Sequence, residues 1–455
     1  MGIPFRYGGR GKNRTGTGSA LGSRENLKMK HQAPDLTVWE QRLIHQWRAL
    51  SPDRRVPNRS GPAGSAGASL RHTPSGAPRS RGQHFPDSSA LPPDRLTPAE
   101  LDRAAADLLT LQRGLTGERH LIGSVYMDES RRLGAYLLFY WFTSYAQTWG
   151  MLDMALSARR ALHNGSGAAP FRILDLGSGP APCGLAAADW LRAAFHVSEI
   201  ELTACDQSTL ALRLAGELAQ SAGVTLRRVA PWRAGPDTIP ADTYNCIVMG
   251  HLLNELWKDE PDRLEQRTAF LEALGNRLEA GGILVILEPA LLGTGRDLLV
   301  LRDRLVRSGW HILAPCFTQG PCPAAAQPNQ TCHSDFAWKP PRIVRELERR
   351  TGLDKDLIKT TALVLSRSMS RPVAVETIDR LYRVVSEPML NKAGRTRLIL
   401  CGKEGRIPLS TRLGEGFPAE KVFKQLRRSD AIFLHQPEQR ETGLALGPET
   451  RITRL

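Results

Sequence analysis

From residue 171 onward, short apolar runs alternate with longer amphipathic ones. "FRILDL" (171–176) is entered through Pro170 and runs out into "GSGPAPCG", after which an Ala-rich helical stretch extends to about Phe195. "IELTACD" (200–206) and "TLRRVA" (225–230) predict a second and third strand, separated by the helical "STLALRLAGELAQSAG". "YNCIVMGHLL" (244–253) predicts a fourth strand and "RTAFLEALGNRLEAGG" a helix after it, and "ILVILEP" (283–289) closes the series. Strands alternating with helices of about 10–15 residues imply right-handed βαβ crossovers, hence a largely parallel sheet with helices on both faces. The fold class is α/β, a doubly wound Rossmann-like sheet.

Elsewhere the pattern changes character. "LTVWEQRLIHQWRAL" (36–50) repeats apolar residues at helical spacing (Val38, Leu43, Ile44, Trp47, Leu50) and predicts a helix that docks on the body or on a partner. "SGPAGSAGASLRHTPSGAPRSRGQ" (60–83) has no packable face and predicts disorder. The longest greasy run, "AYLLFYWF" (135–142), falls far short of the roughly 20 residues that span a bilayer. No continuous apolar segment of the secretory kind follows the first basic residues.

Charge adds a partner class. The 455-residue chain carries a formal +15, of which residues 1–95 supply +10, with 16 Lys/Arg against 6 Asp/Glu. A basic tail thus precedes a body of about +5, which points to a polyanion such as nucleic acid, or to a solvated tail with no dedicated partner. Seven cysteines, an odd number in a long chain without a secretory signal, predict a reducing compartment and thiols that serve as ligands or core residues.

Ligands of doubly wound sheets bind at the carboxyl ends of the strands. Asp175-Leu-Gly177-Ser178-Gly179 ends the first strand, and its glycines allow a tight turn and close approach of a ligand to the backbone. Asp206-Gln207 ends the second, where a carboxylate can accept from both hydroxyls of a ribose. The run from Gly177 to Gly184 breaks the dinucleotide pattern G-x-G-x-x-G, and no phosphate-loop lysine follows. His251, Asn254 and Glu255 lie where the fourth strand would face a ligand; alternatively Asn254 and Glu255 cap and start the next helix. No catalytic residue is assigned. Cys183, Cys205 and Cys246 read as small core residues.

"APCFTQGPCPAAAQPNQTC" (314–332) places Cys316, Cys322 and Cys332 in a C-x5-C-x9-C spacing, and Cys401 follows in "RLILCGKEGRI", a strand leading into a turn. Four thiolates suit zinc or an iron–sulfur cluster. The pairs are wider than a zinc knuckle, three unrelated thiols remain an alternative, and C-x3-C-x2-C, the motif of radical enzymes, is missing.

The motifs together resemble a known family. "ILDLGSGP", the acid at Asp206 and "LEAGGILVILEP" are similar to the core of S-adenosylmethionine-dependent methyltransferases. The lead-in "ESRRLGAYLLFYWFTSYAQTWGMLDMAL", then "LLNELW", "LAPCFTQGPCP", "CHSDF", "TTALVLSR" and "YRVVSEPMLNKAGRTRLILCGKEG" resemble methyltransferase-like assembly factors of the small ribosomal subunit, known from mitochondria and with bacterial relatives, over roughly 120–410. The resemblance implies an S-adenosylmethionine site at Asp175, Gly177, Ser178, Gly179, Asp206, Gln207 and His251. It also implies a [4Fe–4S] cluster on Cys316, Cys322, Cys332 and Cys401, with zinc as the alternative metal. It further implies binding to small-subunit rRNA and the immature small subunit, either as an assembly factor or as an active rRNA methyltransferase, with no membrane partner. The compartment would be a bacterial cytoplasm or, alternatively, a mitochondrial matrix. "KPPRIVRELERR" (339–350) and "NKAGRTR" (391–397) supply basic residues suited to phosphates, or solvated surface. Ala181-Pro182 stands where the family continues with glycine, which weakens or alters cofactor binding because proline lacks a donor. The expected layout is a mostly disordered basic tail (1–95), a helical lead-in (96–165), a methyltransferase-like domain (166–313), a cysteine-cluster insertion (314–340), a basic lobe completing the sheet (341–410) and an extension (411–455).

Overall fold

Two eight-stranded sheets organise the chain, one buried between helices and one built from shorter strands. The structure is a computed structural model and describes residues 35–50, 95–118, 121, 126–156, 169–368 and 380–455. The segment 60–83 lies outside the described residues.

The helical lead-in comprises α1 (Thr37–Leu50), α2 (Pro98–Gln112), α3 (Ser130–Ala135) and α4 (Trp141–Leu156). Thr97 and Glu100 cap α2 reciprocally, and Pro98 opens it where a missing N–H costs nothing. Helix α1 docks on the body: Trp39, Leu43, Ile44 and Trp47 are buried, and Glu40 accepts from the Ile343 N–H at 2.6 Å. Val38, expected on the apolar face, is exposed instead. The run 135–142 passes through a π-helical turn (Tyr136–Tyr140) into α4, which buries nearly every side chain. Among the described residues no helix is long and apolar enough to cross a membrane.

The first sheet then follows in chain order: β1 (Phe171–Leu176), α5 (Pro182–Phe195), β2 (Ile200–Cys205), α6 (Thr209–Ser221), β3 (Thr225–Val229), β4 (Tyr244–Gly250), α7 (Arg263–Gly275), β5 (Leu278–Glu288), α8 (Leu292–Arg307), β6 (His311–Ala314), β7 (Ser334–Ala337), α9 (Arg342–Thr351) and β8 (Leu357–Ser366). Its order is β3-β2-β1-β4-β5-β8-β6, with β8 antiparallel to both neighbours and β7 paired to it. Along β4, Cys246 and Val248 enter the core under the lead-in helices, while Ile247 and Met249 enter the core under α7 and α8. Both faces are covered at the centre of the sheet, which is why "CIVM" of β4 and "ILVIL" of β5 read as apolar runs without alternation.

The second sheet contains β9 (Leu381–Val384), β10 (Met389–Leu390), β11 (Thr396–Gly402), β12 (Gly405–Thr411), β13 (Ala431–His435), β14 (Glu438–Arg440), β15 (Gly443–Ala445) and β16 (Arg451–Arg454), with the short α10 (Glu420–Phe423). The stretch 341–410, expected to complete the first sheet, does so only through β8. The strands β9 to β11 belong to the second sheet, together with the whole of 411–455 that carries β13 to β16. The physical reason is the core: Tyr382, Val384, Leu398, Leu400, Leu409, Ile432, Leu434 and Ile452 bury against each other, separately from the first sheet.

Candidate functional site: a glycine turn and a cysteine loop

The turn after β1 has the backbone that its glycines require. Gly177 and Gly179 sit at φ +65° and +52°, in the left-handed region, and Ala181 follows at +55° before Pro182 opens α5. Asp206 faces this turn: its carboxylate accepts from the Gly179 N–H at 2.7 Å and the Ser208 N–H at 2.8 Å. Gln207 lies beside it, and the Ser178 N–H donates to the Cys205 carbonyl, tying the turn to β2. Asp175 lies under the turn, fully buried, accepting from the Gly184 N–H at 2.8 Å, and burial pushes its pKa up to about 8. It positions the turn and α5 instead of facing the crevice.

His251 also faces inward. Its Nε2 is 2.9 Å from the Gln147 Oε1 of α4, and burial lowers its pKa to about 4, so the ring is neutral. Asn254 and Glu255 do not start the next helix, which begins at Arg263. The Asn254 N–H donates instead to Glu288 at 3.2 Å, and the Asn254 side chain donates to the His251 carbonyl. The space over the turn is taken by two side chains that the sequence did not reveal. A Cβ on Gly179 would lie 2.9 Å from the Met127 sulfur, and one on Gly177 would lie 2.9 Å from a Leu252 methyl. Asp128 accepts from the Ser208 hydroxyl at 2.6 Å and holds this short segment across the crevice.

Glu288, at the end of β5, is buried with one oxygen unpartnered, and burial raises its pKa to about 8. A raised folded-state pKa means that its contribution to stability is present below the unfolded value near 4.5 and is lost as pH rises through about 8. Glu288→Gln is therefore expected to raise the unfolding free energy by about 2–4 kcal/mol at pH 9 and by almost nothing at pH 4. Urea titrations at the two pH values check this.

The cysteine loop sits between the two sheets. Cys316, Cys332 and Cys401 line one cavity with Phe317, His333, Arg383 and Ser429. Cys322 packs against Cys332 in a small apolar cluster with Leu299 and Ala324. The four thiols lie within range of one another's charge: burial lifts Cys316 to about 12, Arg302 opposes it, and Cys332, Cys322 and Cys401 add to it. Cys401 is lifted to about 11, by burial first and then by Cys332. Among the described residues, no three His, Cys, Asp or Glu side chains meet closely enough to hold one metal ion. Cys183, Cys205 and Cys246 are buried in the first sheet's cores.

Arginines fix the loop, and sequence reasoning missed them. From α8, Arg296 donates to the carbonyls of Ala324 and Ala325 at 3.1 Å each, and Arg302 to those of Thr318 at 2.9 Å and Gly320 at 2.6 Å. From the second sheet, Arg383 donates to the Pro315 carbonyl at 3.0 Å and lies over the Phe317 ring at 4.4 Å, and Arg406 donates to the Thr331 carbonyl at 3.0 Å. A loop without regular structure must send its backbone acceptors somewhere, and here they go to guanidinium groups. The one available signal was Arg302 at the helical spacing of Leu298 and Leu305, in a stretch otherwise apolar on that face.

Of the two basic segments, "KPPRIVRELERR" forms most of α9, where Arg345 pairs with Glu348 at 3.1 Å and Arg350 with Asp102 at 3.0 Å. Those charges are largely spent within the fold. In "NKAGRTR", Lys392 and Arg397 are exposed.

A doubly wound sheet with an antiparallel β8, flanked by a cysteine loop and a second sheet of shorter strands, defines the class of protein. A family model described as mitochondrial small ribosomal subunit Rsm22 matches residues 135–423, and the chain belongs to that family. No curated protein matches it. Solved structures similar to it include a class I S-adenosylmethionine-dependent methyltransferase described as putative, from Listeria monocytogenes (12% identity, 60% of this chain and 80% of that one, TM-score 0.33). Another is a methyltransferase from Pyrococcus furiosus (14%, 44% and 76%, 0.27). A third is an S-adenosylmethionine-dependent methyltransferase from Geobacter sulfurreducens in complex with S-adenosyl-L-homocysteine (15%, 50% and 90%, 0.27). The strand order β3-β2-β1-β4-β5-β8-β6 defines the fold by itself.

Proposed function

We propose that the chain is a small-subunit assembly factor that binds rRNA, carries a [4Fe–4S] cluster on Cys316, Cys322, Cys332 and Cys401, and takes S-adenosylmethionine at the glycine turn. The observation that carries this reading is a cavity between the sheets lined by Cys316, Cys332 and the β11 thiol of Cys401, with Cys322 packed on Cys332 and a frame of arginines around them. A [4Fe–4S] cube offers an iron at each of four corners, so its ligands need not meet around one atom as zinc ligands do. Four thiolates and a 2+ cluster core leave net negative charge, which the nearby Arg302 and Arg383 offset. Bound there, the cluster would staple the two sheets together.

At the glycine turn, Asp206 is the group suited to a ribose, Gly177 and Gly179 allow close approach, and Gln207 and Ser178 complete the rim. His251, neutral and paired to Gln147, would shape the floor of the site. Met127 would have to swing aside, and its unbranched side chain can do so. Met127→Ala is accordingly expected to tighten S-adenosylmethionine binding several-fold in isothermal titration; weaker binding would show that Met127 packs on the ligand. Methyl transfer to rRNA is the second reading, favoured by the place of Glu255 just beyond β4, at the carboxyl end of the strand, and tested by the loss of a methyl mark from rRNA on deletion. Salt-sensitive co-sedimentation with small-subunit precursors tests the assembly reading in either case.

A further inference from the structure

The folded body's positive charge is concentrated in the second sheet. Residues 96–380 hold 31 Lys/Arg against 32 Asp/Glu, whereas residues 381–455 hold 14 against 8. Strand alternation divides that sheet into two faces. Leu398, Leu400, Ile432, Leu434 and Ile452 form its core, so the intervening residues Arg397, Cys401, Arg383, Phe433, His435, Arg451 and Thr453 take the opposite face. One end of this second face covers the cysteine loop through Arg383 and Cys401. Further along it, on β13, Phe433 and His435 stand two residues apart, with ring centroids 6.3 Å apart and planes inclined by 32°. Both are only partly buried. The edge strand β16 places the exposed Arg451 directly across from His435 and Thr453 across from Phe433, and Arg380 donates to His435 Nδ1 at 3.5 Å.

We propose that Phe433 and His435 form a stacking platform for unpaired bases of RNA, with Arg451 and Arg380 receiving the adjoining phosphates. Two neighbouring rings on an open sheet face, bordered by guanidinium groups, match what a single strand offers: flat π-faces at successive bases and a charged backbone beside them. A duplex hides its base faces and gains only from the charges. The inference rests on the RNA-binding reading above and adds to it the place of contact and the preference for single strands.

The test uses the full chain, titrated by fluorescence anisotropy at one salt concentration with a single-stranded uridine-rich 12-mer and with a hairpin duplex of similar length. Phe433→Leu with His435→Leu keeps apolar bulk while removing the rings, and an unchanged unfolding midpoint establishes that the variant folds. The expected result is a loss of about tenfold or more on the single strand, with little change on the duplex. An equal loss on both RNAs, or none on either, overturns the platform while leaving RNA binding standing. Unchanged RNA binding together with lost co-sedimentation with small subunits assigns the face to a protein partner and also overturns it. If the unsubstituted chain binds neither RNA, the underlying reading fails and the platform falls with it.

Discussion

With the proposed cluster in place, replacing Cys401 with Ser is expected to strip the chain of iron as completely as replacing Cys316, from about four irons per chain to background. The expectation follows from where the two thiols come from. Cys316 belongs to a loop leaving β6, whereas Cys401 is the partner of Arg383 and Arg406 in the middle of the second sheet. A cluster that uses both fails when either is lost, because the iron left without its thiolate opens to water and exchange. Cys183→Ser, in the core of the first sheet, serves as the control and keeps the full complement of iron. Iron and acid-labile sulfide are measured after anaerobic purification, alongside visible absorption and zinc. A colourless protein with one zinc per chain would sink the cluster assignment, and iron retained by Cys401→Ser would remove the fourth ligand. Since ligand binding to a site absent from the unfolded chain is also folding free energy, both variants should show a lowered unfolding midpoint.

What could be read in the sequence follows from burial. The first strand was legible to the residue, and β2 and β4 nearly so, because helices cover both faces of the sheet there and most positions are buried and apolar; β3, with Thr225, Arg227 and Arg228 at an exposed edge, showed itself only by its short run between a helix and Pro231. β5 begins earlier than expected, at Leu278, because the glycines of "LEAGGIL" were read as the end of a helix; Gly281, at φ +79°, lies inside a strand irregularity. The second sheet was nearly invisible. Its strands are two to seven residues long, most of the longer ones have only one apolar face, β14 has none, and Pro408 falls within β12. At the candidate site, the glycines, Asp206 and the cysteines announced themselves by type and spacing. Met127, Leu252, Gln147 and Arg383 act through contacts between segments far apart in the chain, which no local pattern records.

Removing Arg302 should do more damage than removing any exposed charge of the cysteine region. Its side chain is 1% exposed, and it donates to Asp303 as well as to the carbonyls of Thr318 and Gly320. Asp303 in turn accepts from the Cys322 N–H at 3.1 Å, so one guanidinium governs the backbone leading into the second cysteine, Thr318 and Gly320 directly and Cys322 through Asp303. Arg302→Ala leaves two carbonyls without their donor and Asp303 without its guanidinium partner, and opens a cavity in α8's buried face. The expected loss is about 3–5 kcal/mol of unfolding free energy. Arg302→Lys keeps the charge but cannot span Asp303 and two carbonyls with one planar fork, so it recovers only part of that loss. Urea unfolding measures the stability, and limited proteolysis within 314–332 reports the loop. The two readouts should move together, because the same hydrogen bonds hold both. Arg304→Ala, two residues on and so on roughly the opposite side of α8, paired to Glu265 near the surface, should lower the unfolding free energy by no more than about 1 kcal/mol and leave the loop's protease resistance unchanged. If Arg302→Ala unfolds like the unsubstituted chain and its loop resists protease, then the loop is held by something other than its arginine frame.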